Sequence, residues 1–90
     1  MNRTHELKIW PQYFRAILSG SKTYEVRIND RCYCLGDTCH LREWDPETQK
    51  YTGRDCFVKI IHITNSADWD MIPNHLAIFG IELTAGPISF

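Results

Sequence analysis

Ninety residues allow one domain with one modest core. The chain is 43% hydrophobic and 23% charged with a net charge of −1, which fits an ordinary globular protein and excludes a uniformly basic nucleic-acid grip. No apolar run approaches the ~20 residues needed to span a bilayer. Met1-Asn2-Arg3-Thr4-His5-Glu6 lacks the apolar segment of a secretory signal, so a cytoplasmic protein with no membrane partner is expected. All ten Lys and Arg fall within residues 1–59, beside eight Asp and Glu; the remaining residues carry only Asp68, Asp70 and Glu82. A local basic surface is therefore compatible with an overall charge near zero.

Residues 5–9 read as a short first strand, with His5, Leu7 and Ile9 on one face and Glu6 and Lys8 on the other. Trp10-Pro11 opens a helix, because proline suits the first helical position, where its missing N–H had no partner anyway. Phe14, Ile17 and Leu18 recur at helical spacing, and Gly20 ends the segment as a residue that tolerates positive φ. A second strand is expected over about 22–29. In it Tyr24, Val26 and Ile28 alternate with Thr23, Glu25, Arg27 and Asn29, so one face suits a core and the other carries an acid, a base and an amide. Asn29-Asp30-Arg31 breaks this strand, and Leu35-Gly36-Asp37 turns the chain into a third strand, Thr38 to Trp44. Residues 45–53, with proline early and glycine late, read as a polar hairpin loop. A fourth strand over about 55–64 has Phe57, Val58, Ile60, Ile61 and Ile63 on both faces and is expected at the centre of the sheet. Residues 65–75 form an irregular crossover. The last strand, 76–83, puts Phe79, Ile81 and Leu83 on one face, and Ala85-Gly86-Pro87 is a loop. Strand, helix and four more strands make an α+β fold. The expectation is a small, partly open β-barrel of about five strands, with the N-terminal helix capping one end.

Gly20-x-Lys22-x-x-Glu25-x-Arg27 resembles the signature of the ASCH domain family, within the PUA-like superfamily of small RNA-binding β-barrels. His5-x-Leu7-Lys8 precedes the motif. Asn29-Asp30-Arg31, Gly36-Asp37 and Leu41-Arg42-Glu43-Trp44 follow it. The ordered blocks are similar to an uncharacterised bacterial and phage subgroup of that family and cover roughly residues 5–83, so the chain reads as a single ASCH/PUA-like domain over 1–90. The resemblance implies the same barrel and a partner that is RNA, a nucleotide or a modified nucleoside.

The residues alone offer the following chemistry. Glu25 and Arg27 are either a structural ion pair or a site that reads a ring bearing donors and acceptors, since arginine offers a rigid fork of donors and glutamate an acceptor. The resemblance tips this toward ligand binding: Lys22, Glu25 and Arg27 are then expected to form the floor of a cleft beside the second strand, with His5, Lys8, Asn29, Arg31 and Arg42 around it and Trp44 available to stack on a base. Ser19-Gly20-Ser21-Lys22-Thr23 fails as a phosphate loop, because a strand and not a helix follows. His40 and His62, inside strands, read as satisfied core histidines. Cys32-x-Cys34 with Cys39-His40 lacks the spacing of a zinc site, so the cysteines read as small buried hydrophobes; no metal and no cofactor are expected.

Two alternatives remain open. Some small ASCH proteins are amidohydrolases acting on acetylcytidine, with a lysine, a threonine three residues later and a distant glutamate acting together. Here Lys22 matches the lysine, but Glu25 stands at the threonine position and Glu82 is the only late glutamate. If the chain is an enzyme, Lys22 and Glu25 are its catalytic candidates, on an acylated pyrimidine nucleoside. The second alternative is a protein-interaction domain.

Overall fold

The structure, a computed structural model, describes residues 2–86. Five strands and one helix follow each other as β1 (Thr4–Ile9), α1 (Pro11–Ser19), β2 (Tyr24–Ile28), β3 (Thr38–Asp45), β4 (Lys50–Asn65) and β5 (Leu76–Ala85). They form one curled sheet, a half-barrel, in the order β1-β3-β4-β5-β2, with β4 at its centre as expected. β1 pairs with β3 in parallel; the other pairings are antiparallel.

The concave side holds the core. His5, Leu7 and Ile9 of β1, Cys39 and Leu41 of β3, Cys56, Val58 and Ile60 of β4, and Ala77, Phe79 and Ile81 of β5 are all buried there. α1 contributes Phe14 and Ile17 to the same cluster. Pro11 opens this helix, and Gly20 closes it with φ of 84° while its N–H bonds to the Ile17 carbonyl.

Four expectations are corrected. β4 is not apolar on both faces, because its register against β5 slips between Ile60 and His62. That bulge switches the inward parity from Val58 and Ile60 to Ile63, and leaves Ile61 and His62 exposed. His62 is therefore not a core histidine. The turn after β3 is shorter than residues 45–53, since the chain is back in strand at Lys50. Gly53, with φ of 92°, belongs instead to a second bulge, where Thr52, Gly53 and Arg54 oppose the single residue Glu43. β5 continues to Ala85, which leaves Leu83 exposed; Pro87 lies outside the described residues.

The fourth correction concerns β2, whose faces are reversed. Tyr24, Val26 and Ile28 are 50%, 47% and 62% exposed, whereas Glu25 is 4% exposed. Glu25 lies opposite Phe79 and Arg27 opposite Ala77, so the polar side of β2 shares the inner face. β2 is an edge strand. The core closes without it, and the charges it turns inward are paired with one another.

Candidate functional site in the open seam

A linear strand order leaves the free edges of β1 and β2 flanking an unclosed seam. Two cavities occupy it. One, of about 520 Å³, is bounded by Lys8, Ile9 and Trp10 on one side, Tyr13 of α1 at the end, and Lys22 and Tyr24–Arg27 on the other. The other, of about 340 Å³, runs between Leu7 and the stretch Val26–Ile28, with Asp30, Arg31 and Tyr33 closing it. Both include Val26 and Arg27, so the seam is one groove in two halves.

Glu25 dominates the first half. Its Oε1 accepts from Lys22 Nζ at 2.5 Å and its Oε2 from Arg27 Nε at 2.7 Å. Lys22 Nζ also donates to the Tyr24 carbonyl at 2.6 Å and lies 4.7 Å from the Tyr24 ring centre. Local sequence produces this clamp. Gly20 reverses the chain, the Lys22 N–H bonds back to the Ala16 carbonyl, and the pleat then aims Glu25 and Arg27 the same way. A buried carboxylate without partners would be costly; here each oxygen of Glu25 accepts a hydrogen bond from a basic side chain. Among the described residues the terminal nitrogens of Arg27 make no bond within the protein, so they remain available as donors. Trp10, Tyr13 and Tyr24 each keep close to half their surface exposed around this half of the groove. The arrangement offers an acceptor, several donors and flat apolar faces within one cleft.

The other expected site residues separate into distinct places. Lys8 stands on the groove rim, but its ammonium sits 4.2 Å over the Trp44 ring on the outer face. Arg42 is on that outer face too, bonded to Glu6 at 2.7 Å and stacked 3.9 Å over Tyr51. Arg42 and Trp44 therefore do not meet Lys22, Glu25 and Arg27. Odd residues of β3 point inward, so its even ones point away. Asn29 is exposed beyond the end of β2, its N–H bonded to the His75 carbonyl. Arg31 lines the second half of the groove. His5 is buried below it, 2.7 Å from Asp37 and 4.7 Å from the Tyr33 ring. His40 is half-buried, stacked on Phe57 and bonded to Asp55.

Two buried carboxylates carry structural weight that the motifs did not reveal. Asp37, 1% exposed, accepts from the N–H groups of Arg3 and Cys34 and pairs with His5. Burial pushes its pKa up, but these hydrogen bonds together outweigh burial and hold it below its ordinary value. Glu43, 2% exposed, accepts from Arg54 at 2.9 and 3.0 Å and from Thr52 at 2.7 Å. The Arg54 hydrogen bonds hold its pKa down against burial. The detectable signal was parity: Glu43 follows Cys39 and Leu41 on alternate residues of one strand. Cys39 and Cys56 are buried thiols, their pKa values pushed by burial to about 11 and about 12, whereas Cys32 and Cys34 are exposed, contrary to the reading of all four as buried. Among the described residues no three His, Cys, Asp or Glu side chains converge as metal ligands. No helix among them is long and apolar enough to cross a membrane.

The model of a family described as a domain of unknown function, DUF3850, matches residues 4–81. The chain belongs to that family. This DUF3850 chain is also 39% identical over 69 residues to an uncharacterized 12.9 kDa protein in the GpA 3′ region of Escherichia phage P2. The alignment covers 77% of this chain and 62% of the phage protein, so the chain spans less than two thirds of that relative's length.

Proposed function

We propose that the groove between β1 and β2 binds a nucleobase, carried by a nucleotide, a modified nucleoside or a single-stranded RNA segment. The observation that carries this reading is the buried Glu25 carboxylate clamped by Lys22 and Arg27 inside an open cleft with half-exposed aromatic neighbours. A base edge presents donors and acceptors together, and a carboxylate beside a guanidinium matches that pattern. Tyr24 or Trp10 supplies a face for stacking. Pairing within the site also keeps its cost low when the groove is empty. The similarity of Gly20-x-Lys22-x-x-Glu25-x-Arg27 to ASCH domains of the PUA-like superfamily supports the same reading, and a curled five-stranded sheet with one helix is the architecture that similarity implies.

The test is an amide NMR titration of the labelled protein with single nucleosides, nucleotides and short RNA oligomers. Shifts are expected on Lys8–Trp10 and Lys22–Arg27. If ligands at millimolar concentration leave those peaks in place, the groove does not bind nucleobases.

One observation favours a second reading. A separate cavity of about 490 Å³ at the end of α1 brings Lys22 and Thr23 together with Glu82, the late glutamate an amidohydrolase would need. The Lys22 ammonium is turned the other way, toward Glu25 and the Tyr24 carbonyl, and so serves the groove as a donor. Turnover of acylated pyrimidine nucleosides that disappears in Lys22→Ala would establish the hydrolase; intact substrates across the panel would remove it for that class.

A further inference from the structure

We propose that the far half of the groove, at Arg27, Arg31 and Tyr33, is a phosphate subsite, so that its ligand is a nucleotide or a phosphodiester-linked strand rather than a free nucleoside. The inference rests on the nucleobase reading of the near half and names the ligand class that completes it.

Three observations converge. Arg27 belongs to both halves: its Nε holds Glu25 in the first, and the residue also lines the second. A base seated against Glu25 would thus have the same arginine beside its sugar and phosphate. Next, Arg31 lines the far cavity with little to hold it. Among the described residues its one side-chain hydrogen bond is a 3.4 Å contact to the neighbouring Asp30, whose side chain is 56% exposed. A pair that long and that exposed contributes little, and an incoming anion displaces it at small cost. Arginine forks bind phosphate oxygens two at a time, and two of them facing one cavity of about 340 Å³ suit a single tetrahedral anion. Last, Tyr33 forms part of the wall, and its hydroxyl is buried with no hydrogen-bond partner among the described residues. Burial raises its pKa above the ordinary value, so the phenol is a protonated donor at neutral pH. A buried donor without an acceptor is rare and costly in a folded protein. The ring packs between His5 and Phe79, and a phosphate oxygen bound in this half of the groove is the acceptor the proposal brings to that hydroxyl.

The outer-face cations Lys8 and Arg42, already engaged with Trp44, Glu6 and Tyr51, are not needed for the anion.

Four probes are titrated into the labelled protein: inorganic phosphate, the four ribonucleosides, their 5′-monophosphates and a dinucleoside monophosphate of RNA. Phosphate alone should shift the amides of Arg27, Arg31 and Tyr33. The monophosphate should bind about tenfold or more tighter than its nucleoside, an advantage that Arg31→Ala removes and Arg31→Lys partly restores. Preference for the dinucleotide over the monophosphate would assign the phosphate to a strand, and the reverse to a free nucleotide. Equal affinity of nucleoside and monophosphate, or phosphate shifts confined to other parts of the surface, overturns the subsite while leaving the base site standing. Phosphate shifts at Arg31 without any nucleoside binding would instead retain the subsite and remove the base reading.

Discussion

Glu25 and Glu43 make a controlled comparison within one small protein. Both are glutamates turned to the concave side of the sheet, both are nearly inaccessible, and both are bonded to an arginine. Glu43 is closed off. Arg54 grips both of its oxygens, Thr52 adds a third bond, and it borders none of the three cavities described above. Glu25 is held by one bond from each of two cations and opens onto the groove. The same ion-pair chemistry thus sits in two settings. Where the partners saturate the carboxylate, the pair fastens a bulge. Where donors are left over and a cavity adjoins, the pair is the one proposed to meet a ligand. Composition does not separate the two cases; their surroundings do.

The comparison can be broken by mutation. The largest effect is expected from Glu43→Ala, which leaves the Arg54 and Thr52 donors without their acceptor and hollows the end of the sheet. We expect a loss of about 2–4 kcal/mol in denaturant unfolding, which is a large share of the stability of a domain this size. A loss below about 0.5 kcal/mol would mean that the clamp is ornamental and that the contrast with Glu25 has no structural basis.

Acid stability sharpens the same point. Asp37 and Glu43 both have folded pKa values held below their ordinary 3.8 and 4.5. A carboxylate with a depressed folded pKa binds its proton more readily when unfolded. Its contribution is therefore complete above the unfolded value and is lost as pH falls through the folded one. Unfolding free energy should stay level from pH 7 to about 5 with respect to these two groups, then fall steeply below about 4.5. In Glu43→Gln the slope below pH 4.5 should be shallower. An unchanged slope would assign the acid transition to other groups.

The smallest expected effect is at the bulge that creates the Glu43 site. Gly53 has φ of 92°, and an added Cβ would meet nothing within 4 Å, so Gly53→Ala carries backbone strain alone. A cost of about 1–2 kcal/mol is expected. A neutral substitution would show that the bulge tolerates another backbone conformation and does not depend on glycine.

How much of this was legible in the sequence follows from which signals are local. β1 read correctly because His5, Leu7 and Ile9 alternate cleanly, and α1 because Pro11 and Gly20 bracket one apolar stripe. The central place of β4 was also legible from its length and apolar content. Its two-faced pattern was not, because a bulge at Ile61 imitates a strand buried on both sides. The orientation of β2 was hidden for a different reason. Alternation identifies two faces but does not say which one meets the core, and hydrophobicity chose the wrong one. Edge position and mutual pairing of Lys22, Glu25 and Arg27 allowed the charged face to turn inward. The charged cluster itself was legible from its motif. Its expected neighbours Arg42 and Trp44 lie on the opposite side of the sheet, as the alternation of Cys39, Leu41 and Glu43 along β3 implies once Glu43 is taken as inward.

The most direct measurement is a pair of numbers on one variant, the affinity for the best-binding nucleoside or nucleotide and the unfolding free energy of Arg27→Ala. Lys22 still bonds Glu25 in that variant, so stability should fall by less than in Glu43→Ala while binding is abolished. If stability instead falls as far as in Glu43→Ala, or if binding survives, then Arg27 fastens the fold as Arg54 does and the groove is not a recognition site.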